Sequence, residues 1–347
     1  MLRSIFWKPY SHLLIVGDNA DWVIDEEAKE LKKTMGILNI PSKRIKRVRF
    51  NVSQAVHYVS QFSLNEPSIY KSKNRISVDY FHGKPHQGEN FRKCFESLKE
   101  NHSKISRVRV STTDMEDLIK TSGIDESKVI RIPIGINTEI FKPQTVETKK
   151  TSRKILGIPE TSVVIGSFQK DGVGWGDGNK PKLIKGPDIF LKVIERLKAD
   201  IPNLFVLLSG PSRGFVKTGL DKIRVPYKHI YMNHYKDISD LYDALDMYLI
   251  TSREEGGPKA CLEAMAKGVP LITTDVGQCK DLVINSVNAM MTSIENVDEL
   301  HALSLKVLRD PALQKSLIKE GLITAKENSY KSQLPLWKEY FKNLINS

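Results

Sequence analysis

Hydrophobic positions along this chain fall into short runs, separated by longer stretches in which apolar residues recur at helical spacing. "HLLIVG" at 12–17 predicts a buried strand that ends at Gly17, and "DWVIDEEAKELKKTMG" after it predicts an amphipathic helix that stops at Gly36. Further strands are expected at "AVHYVS", "RISVDYF", "RVRVS" and "KVIRIP". The segment 133–152, "PIGINTEIFKPQTVETKKTS", loses periodicity and gains Pro, Thr and Lys, as a linker would. The pattern then restarts: "SVVIGSF", a Gly-rich loop, the helix "GPDIFLKVIERLKAD", "LFVLLSG", the helix "ISDLYDALD", "MYLITS", another helix and "PLITTD". Strands alternating with helices predict an α/β protein with parallel sheets. The expected organisation is two doubly wound, Rossmann-like domains facing across a cleft, at 1–145 and 146–330. An amphipathic helix in 331–347, "LPLWKEYFKNLINS", is expected to return to the first domain.

Length and composition change this picture little. A chain of 347 residues exceeds one ordinary compact domain, and 40% hydrophobic with 27% charged residues is the balance of a soluble globular protein. No apolar run approaches the roughly 18 residues that a spanning helix needs. Lys8, Pro9 and His12 interrupt the hydrophobic start, so neither a span nor a signal peptide is expected and a cytoplasmic location is. Three dispersed cysteines argue against a disulfide framework and a zinc site. Charge adds more. Residues 1–150 hold 26 Lys+Arg against 18 Asp+Glu, a net +8, and the remainder holds 27 against 23, a net +4. The dense runs "SKRIKRVRF" (42–50) and "KSKNR" (71–75) read either as solvated surface or as a face for an anionic partner such as the inner face of a membrane. Aromatic-interleaved basic motifs are absent, so nucleic acid is not expected.

The chemistry concentrates at 252–275, "SREEGGPKACLEAMAKGVPLITTD". Pro258 suits a first helical position and Gly268 a helix end, which leaves Glu255 in the loop and Glu263 in the second turn. Between the two acids lie Gly256 and Gly257, with no side chains to obstruct a ligand, then the helix start and Lys259. Such a helix end favours a phosphate by roughly 0.3–1 kcal/mol, and up to about 2 kcal/mol when partly buried. Carboxylates flanking a phosphate would accept hydroxyls on either side of it, an arrangement that a nucleoside diphosphate sugar offers. Two solvated glutamates are the plain alternative.

With those residues in view, "EGGPKACLEAMAKGVPLITTDVG" resembles the E-x7-E signature of retaining glycosyltransferases of the GT-B fold, family 4 (glycosyl transferases group 1). "KVIRIPIGINTEIFKP", "LIKGPDIFLKVIERL" and "YKDISDLYDALDMYLITS" resemble the family's interdomain segment, its Lys-Gly helix and the strand before the signature, so the likeness covers 105–330 well and the first hundred residues in outline. The resemblance implies a glycosyltransferase with no separate cofactor, and without an Asp-x-Asp motif beside a strand end no metal is expected. Its donor would be a nucleotide diphosphate sugar, with UDP favoured, and its acceptor a glycan or lipid-linked hydroxyl. It also implies that Glu255 meets the donor sugar, Glu263 the ribose and Lys185 the diphosphate. His82, followed by Gly83, matches a His-Gly that faces the transferred sugar, with a packed or capping histidine as the plain alternative. Gly17 lies where the family's loop approaches the donor phosphates, or forms a plain tight turn. Arg213, in "PSRG", is expected where the base edge is read. One departure stands out: Ser167 occupies the position of the family's phosphate-binding arginine, and Lys170 is the nearest replacement cation. The longer loop after it, with Trp175, either covers a ligand or forms a surface turn. A nucleotide-sugar epimerase of the same fold and a non-catalytic basic binding subunit remain as alternatives.

Overall fold

The computed structural model describes residues 10–17, 23–48 and 53–345. The chain's first nine residues, the Asp18-Asn19 turn after Gly17 and the end of the basic run at 42–50 lie outside them. Two six-stranded sheets organise the chain. The first contains β1 (Leu13–Val16), β2 (Ser42–Ile45), β3 (Ala55–Tyr58), β4 (Arg75–Tyr80), β5 (Ile105–Val110) and β6 (Val129–Arg131), in the spatial order β2-β1-β3-β4-β5-β6. The second contains β7 (Val163–Phe168), β8 (Leu204–Ser209), β9 (Tyr227–Ile230), β10 (Met247–Ile250), β11 (Leu271–Thr274) and β12 (Met290–Thr292), in the order β12-β11-β10-β7-β8-β9. Paired strands run parallel in both. The α/β class and the doubly wound pattern hold for each sheet.

Parallel strands covered by helices on both faces must be apolar on both, which is why β8, "LFVLLS", is nearly continuous in Val and Leu and buried at five of its six positions. Each sheet reverses its direction of growth beside its first strand, at β1/β3 and at β7/β10. At such a reversal the loops leaving the two strands part to opposite faces and open a crevice. The loops that leave β7 and β10 carry Lys170, Lys185 and Glu255.

The chain forms two compact units, Met1–Ile134 with Tyr330–Ser347, and Gly135–Ser329. The changeover therefore lies between residues 134 and 135 rather than at 145/146. The physical reason is that 135–145 packs with the second unit: Phe141 is buried in its core, and the Gln144 amide donates to the carbonyls of Asp243 (2.6 Å) and Leu245 (3.1 Å). The segment first read as a linker continues into a helix, Val146–Leu156, with Thr145 as N-cap and Gly157 left-handed at its end. In the first unit the helix Leu334–Phe341 buries Trp337, Tyr340 and Phe341 among Leu13, Ile15, Ala55 and Phe81. Among the described residues no helix is long and apolar enough to cross a membrane.

Candidate functional site

The β7 and β10 loops of the second unit are laced together by backbone. The amides of Arg253 and Glu254 both donate to the Ile184 carbonyl, at 2.9 and 3.0 Å. Gly186 follows Lys185 with φ +61, and a Cβ there would run into the Thr251 carbonyl, so only glycine lets the loops approach this closely. The Thr251 hydroxyl donates to the Gly186 carbonyl at 2.9 Å. This lacing fixes Lys185 against Glu255, whose one carboxylate oxygen pairs with the Lys185 ammonium while the other accepts the Ser252 hydroxyl at 2.9 Å. Gln169, directly before Lys170, donates its side-chain amide to the Lys185 carbonyl at 3.2 Å.

Beyond Glu255 come Gly256 and Gly257, and then the helix Lys259–Lys267. Pro258 is the N-cap, one position earlier than the sequence pattern places it, and no side chain caps the helix start. Gly268 closes the helix in a left-handed conformation, φ +64. Glu263 is only 4% exposed. Its oxygens accept the hydroxyls of Tyr235 (2.5 Å) and Tyr242 (2.8 Å), and burial raises its pKa above the ordinary glutamate value despite those bonds and the nearby Lys259. The Lys259 ammonium lies 4.7 Å from the centre of the Tyr235 ring. Tyr235 also lines a cavity of about 110 Å³ together with Phe168, Ser209, Gly210, Tyr231 and His234. One tyrosine thus joins a largely apolar cavity to a buried carboxylate.

Arg213 stands differently from its expected role. It is 1% exposed, and its guanidinium donates to the carbonyls of Ser167 (2.7 Å), Gln169 (2.9 Å) and Ser209 (2.9 Å) and to the Ser167 hydroxyl (3.1 Å), with Asp171 3.1 Å away. Burial lowers its pKa, and Asp171 offsets that. Its two terminal nitrogens are turned on the ends of β7 and β8, so in this structure it is buried and braces loops. Ser167 is buried beneath it, with its hydroxyl turned to that guanidinium.

Lys170 is half-buried, with its ammonium 3.5 Å from the centre of the Trp175 ring. In the first unit Gly17 ends β1 at that sheet's reversal, with ordinary room for a side chain. His82 follows β4 and stands edge-on to Phe62 and Phe91, ring centres 6.2 and 5.4 Å away. Gly83 beside it has φ +92, and a Cβ there would strike the Phe91 ring, so the His-Gly pair is shaped by this aromatic cluster. The second unit therefore brings Lys185, Glu255, Gly256, Gly257, Lys259 and Glu263 to one loop-and-helix edge, with Lys170 one residue from it, whereas His82 and Gly17 lie in the other unit. Tyr235, Tyr242, Ser252 and Gln169 were not singled out from sequence, and Lys182 was set behind Lys170 as lying deeper in its loop. The aromatic spacing of "YMNHYKDISDLY" was the one available signal, and it reads equally as core.

Comparison with known proteins bears on this arrangement. Residues 181–322 match the family model described as glycosyl transferases group 1. A lipopolysaccharide core biosynthesis mannosyltransferase of Rhizobium meliloti is 28% identical over 49% of this chain and 48% of its own length. A putative teichuronic acid biosynthesis glycosyltransferase of Bacillus subtilis is 30% identical over 57% of this chain and 45% of its own. The chain spans about half the length of the curated relatives it matches. Among solved structures, Anabaena HepE in complex with UDP and glucose superposes with a TM-score of 0.78 at 14% identity, covering 96% of this chain and 100% of that one. Sucrose-phosphate synthase of Thermosynechococcus elongatus gives 0.76 at 15%, covering 96% and 99%. These likenesses establish the two-sheet GT-B fold.

Proposed function

We propose, from the match of residues 181–322 to the glycosyl transferases group 1 family model, that the chain is a retaining family 4 glycosyltransferase. It moves a sugar from a nucleoside diphosphate sugar to a hydroxyl of a glycan or lipid-linked acceptor, in surface polysaccharide or glycoconjugate synthesis. The observation that carries the reading is the Lys185–Glu255 pair, held where the second sheet reverses and directly before an uncapped helix start, with Glu263 one turn further on. The base occupies the cavity bordered by Tyr235. The ribose hydroxyls reach Glu263, which as a carboxylate retains acceptor capacity beyond two tyrosine hydroxyls. The diphosphate lies against Lys185, Lys170, Lys259 and the backbone of Gly256 and Gly257, and the transferred sugar lies at Glu255. UDP is the favoured carrier, supported by the UDP bound to the Anabaena neighbour.

The chemistry asks little of side chains, because a nucleoside diphosphate departs without the protonation that an ordinary glycoside needs. What remains is charge growing on the bridging phosphate oxygen as the anomeric carbon becomes electron-poor, and Lys185 with the helix-end amides meets it electrostatically. Lys185 then exchanges its Glu255 partner for phosphate, which frees Glu255 to accept a sugar hydroxyl. The departing phosphate takes the acceptor's proton on the same face, so configuration is retained. The test is a thermal-shift panel of UDP, GDP, ADP and their common sugars. A ligand at about 100 times its Kd adds about 2.7 kcal/mol of stability, and a protein that none of them stabilises has no donor site.

A further inference from the structure

The loop after Lys170 is an ordered hairpin. Gly172 bridges Pro181 in antiparallel fashion, the Val173 amide donates to Lys180 (2.9 Å) and the Lys182 amide donates to Asp171 (2.7 Å). Ser212 clasps its turn by donating to the carbonyls of Gly174 (3.2 Å) and Gly176 (2.9 Å), while the amides of Gly214 and Phe215 donate to Asp177 and Gly178. Pairing Lys182 with Asp171 sets Lys182 beside Lys170 at the hairpin's base. The following turn, in which the Lys185 amide donates to the Lys182 carbonyl at 2.8 Å, sets it beside Lys185 as well. The Lys185 ammonium thus pairs with Glu255, with Lys182 next to it along the turn and Lys170 across the hairpin's base. Asp171, paired through its backbone with Lys182, is buried and turned to Arg213, and Arg253 is occupied by Asp188 and Glu295. Burial, and then Lys185, hold the Lys182 ammonium below its ordinary pKa. The cluster has a net positive charge of the kind that two adjacent phosphates neutralise.

Lys170 does not join that centre in this structure. Its ammonium rests on the Trp175 ring, and Trp175, 69% exposed at the hairpin's turn, contributes little to any core. A cation on an indole face is held by a modest attraction, weaker than a charge-assisted bond to phosphate.

We propose that the hairpin is a two-lysine clamp for the donor diphosphate: Lys182 is a fixed phosphate ligand beside Lys185, and Lys170 waits on Trp175 until the diphosphate draws it off. The clamp supplies the cations that the Ser167 position lacks, and it rests on the donor-site reading above. Among UDP, GDP and ADP, the diphosphate that most stabilises the full chain serves as the probe, with its monophosphate as control. Lys182→Gln is expected to melt like the wild type without ligand, to bind the diphosphate at least tenfold more weakly and to lose most of the preference for diphosphate over monophosphate, with Lys182→Arg restoring part of it. Trp175 fluorescence, taken as the difference between wild type and Trp175→Phe, is expected to change on adding the diphosphate and to stay unchanged in Lys170→Met. A Lys182→Gln protein that keeps the wild-type preference overturns the clamp. So does a wild type that binds the diphosphate without a Trp175 signal, or a signal that persists in Lys170→Met. If no diphosphate binds the wild type, the donor-site reading falls and the clamp falls with it.

Discussion

Glu263 is a carboxylate that the fold has taken almost out of water, and the consequence is a pH dependence with a definite sign. Burial raises its folded-state pKa above the unfolded value near 4.5, so between those two values the folded chain holds the proton more tightly. Stability from this group is therefore fully present below the ordinary glutamate range and is lost as pH rises through the raised value. Glu263→Gln removes the titration. Melting curves should show the variant gaining on the wild type from acid to neutral pH, and a difference that stays flat with pH would mean the carboxylate is already at ease where it lies. The role proposed for Lys185 is kinetic instead. Lys185→Ala and Lys170→Ala should each lower turnover with the donor more than tenfold, above about 1.4 kcal/mol in the transition state, with folding intact by circular dichroism. An unaffected Lys170→Ala enzyme would leave Lys182 or Lys259 to hold the diphosphate. Glu255 and Lys185 were legible in the sequence because their neighbours, Gly-Gly-Pro and Lys-Gly, carry the local geometry with them. Arg213 was misread because "PSRG" does not say which way a guanidinium turns, and three carbonyls at the ends of two strands decide that. Tyr235 was invisible for the same reason, its partner being 28 residues away, and Lys182 was placed behind Lys170 because the sequence does not show the hairpin pairing that brings it to the loop's base.

At the scale of elements, legibility follows position in the sheet. The apolar runs read as strands became β1, β3 to β8, β10 and β11, of which all but β6 have a neighbour on each side. The three strands not read, β2, β9 and β12, are all edges. An edge strand pairs on one side only and tolerates polar residues, so "SKRI" in β2 appeared as part of a basic run although it pairs with Leu13–Val16 in full register. The loops are tied by backbone contacts no less strict than those of the strands, and the Lys185-Gly186 turn is the sharpest case. Gly186→Ala forces a side chain into left-handed backbone, a cost of about 1–3 kcal/mol, and also drives its Cβ at the Thr251 carbonyl. Urea denaturation should show at least that loss, and donor turnover should fall with it because Lys185 is displaced from Glu255. A variant as stable as the wild type would mean that the β7 and β10 loops are not held as closely as the lacing implies.

At the scale of the whole molecule, the net charge of +12 and the expected lipid-linked acceptor together suggest work at an anionic surface. Co-sedimentation with acidic vesicles should exceed that with neutral ones and weaken as salt is raised; equal binding to both would remove the surface from the account. The chain's path has a firmer consequence. It leaves the first unit at Ile134, builds the second and returns at Tyr330, so the first unit is completed only by the last residues. Tyr330 donates its hydroxyl to Glu27 at 2.5 Å. Glu27 and Asp79 flank the buried Arg109 at 3.5 and 3.3 Å, and that guanidinium also donates to the carbonyls of Ile132 and Pro133 and lies 4.6 Å from the centre of the Trp337 ring. Trp337 stacks on Phe341 and meets His57 edge-on. It therefore packs the first unit's core and also covers a buried cation that has no water to fall back on. Trp337→Ala should cost about 3–5 kcal/mol, and the loss should be confined to the unit that Trp337 completes. Hydrogen exchange followed by proteolysis separates the two units: peptides from 55–80 and 105–131 should lose protection while those from 163–168 and 204–209 keep theirs. Equal loss in both would show that the two units fold as one cooperative body, and no loss in either would show that the terminal helix only decorates a first unit already complete without it.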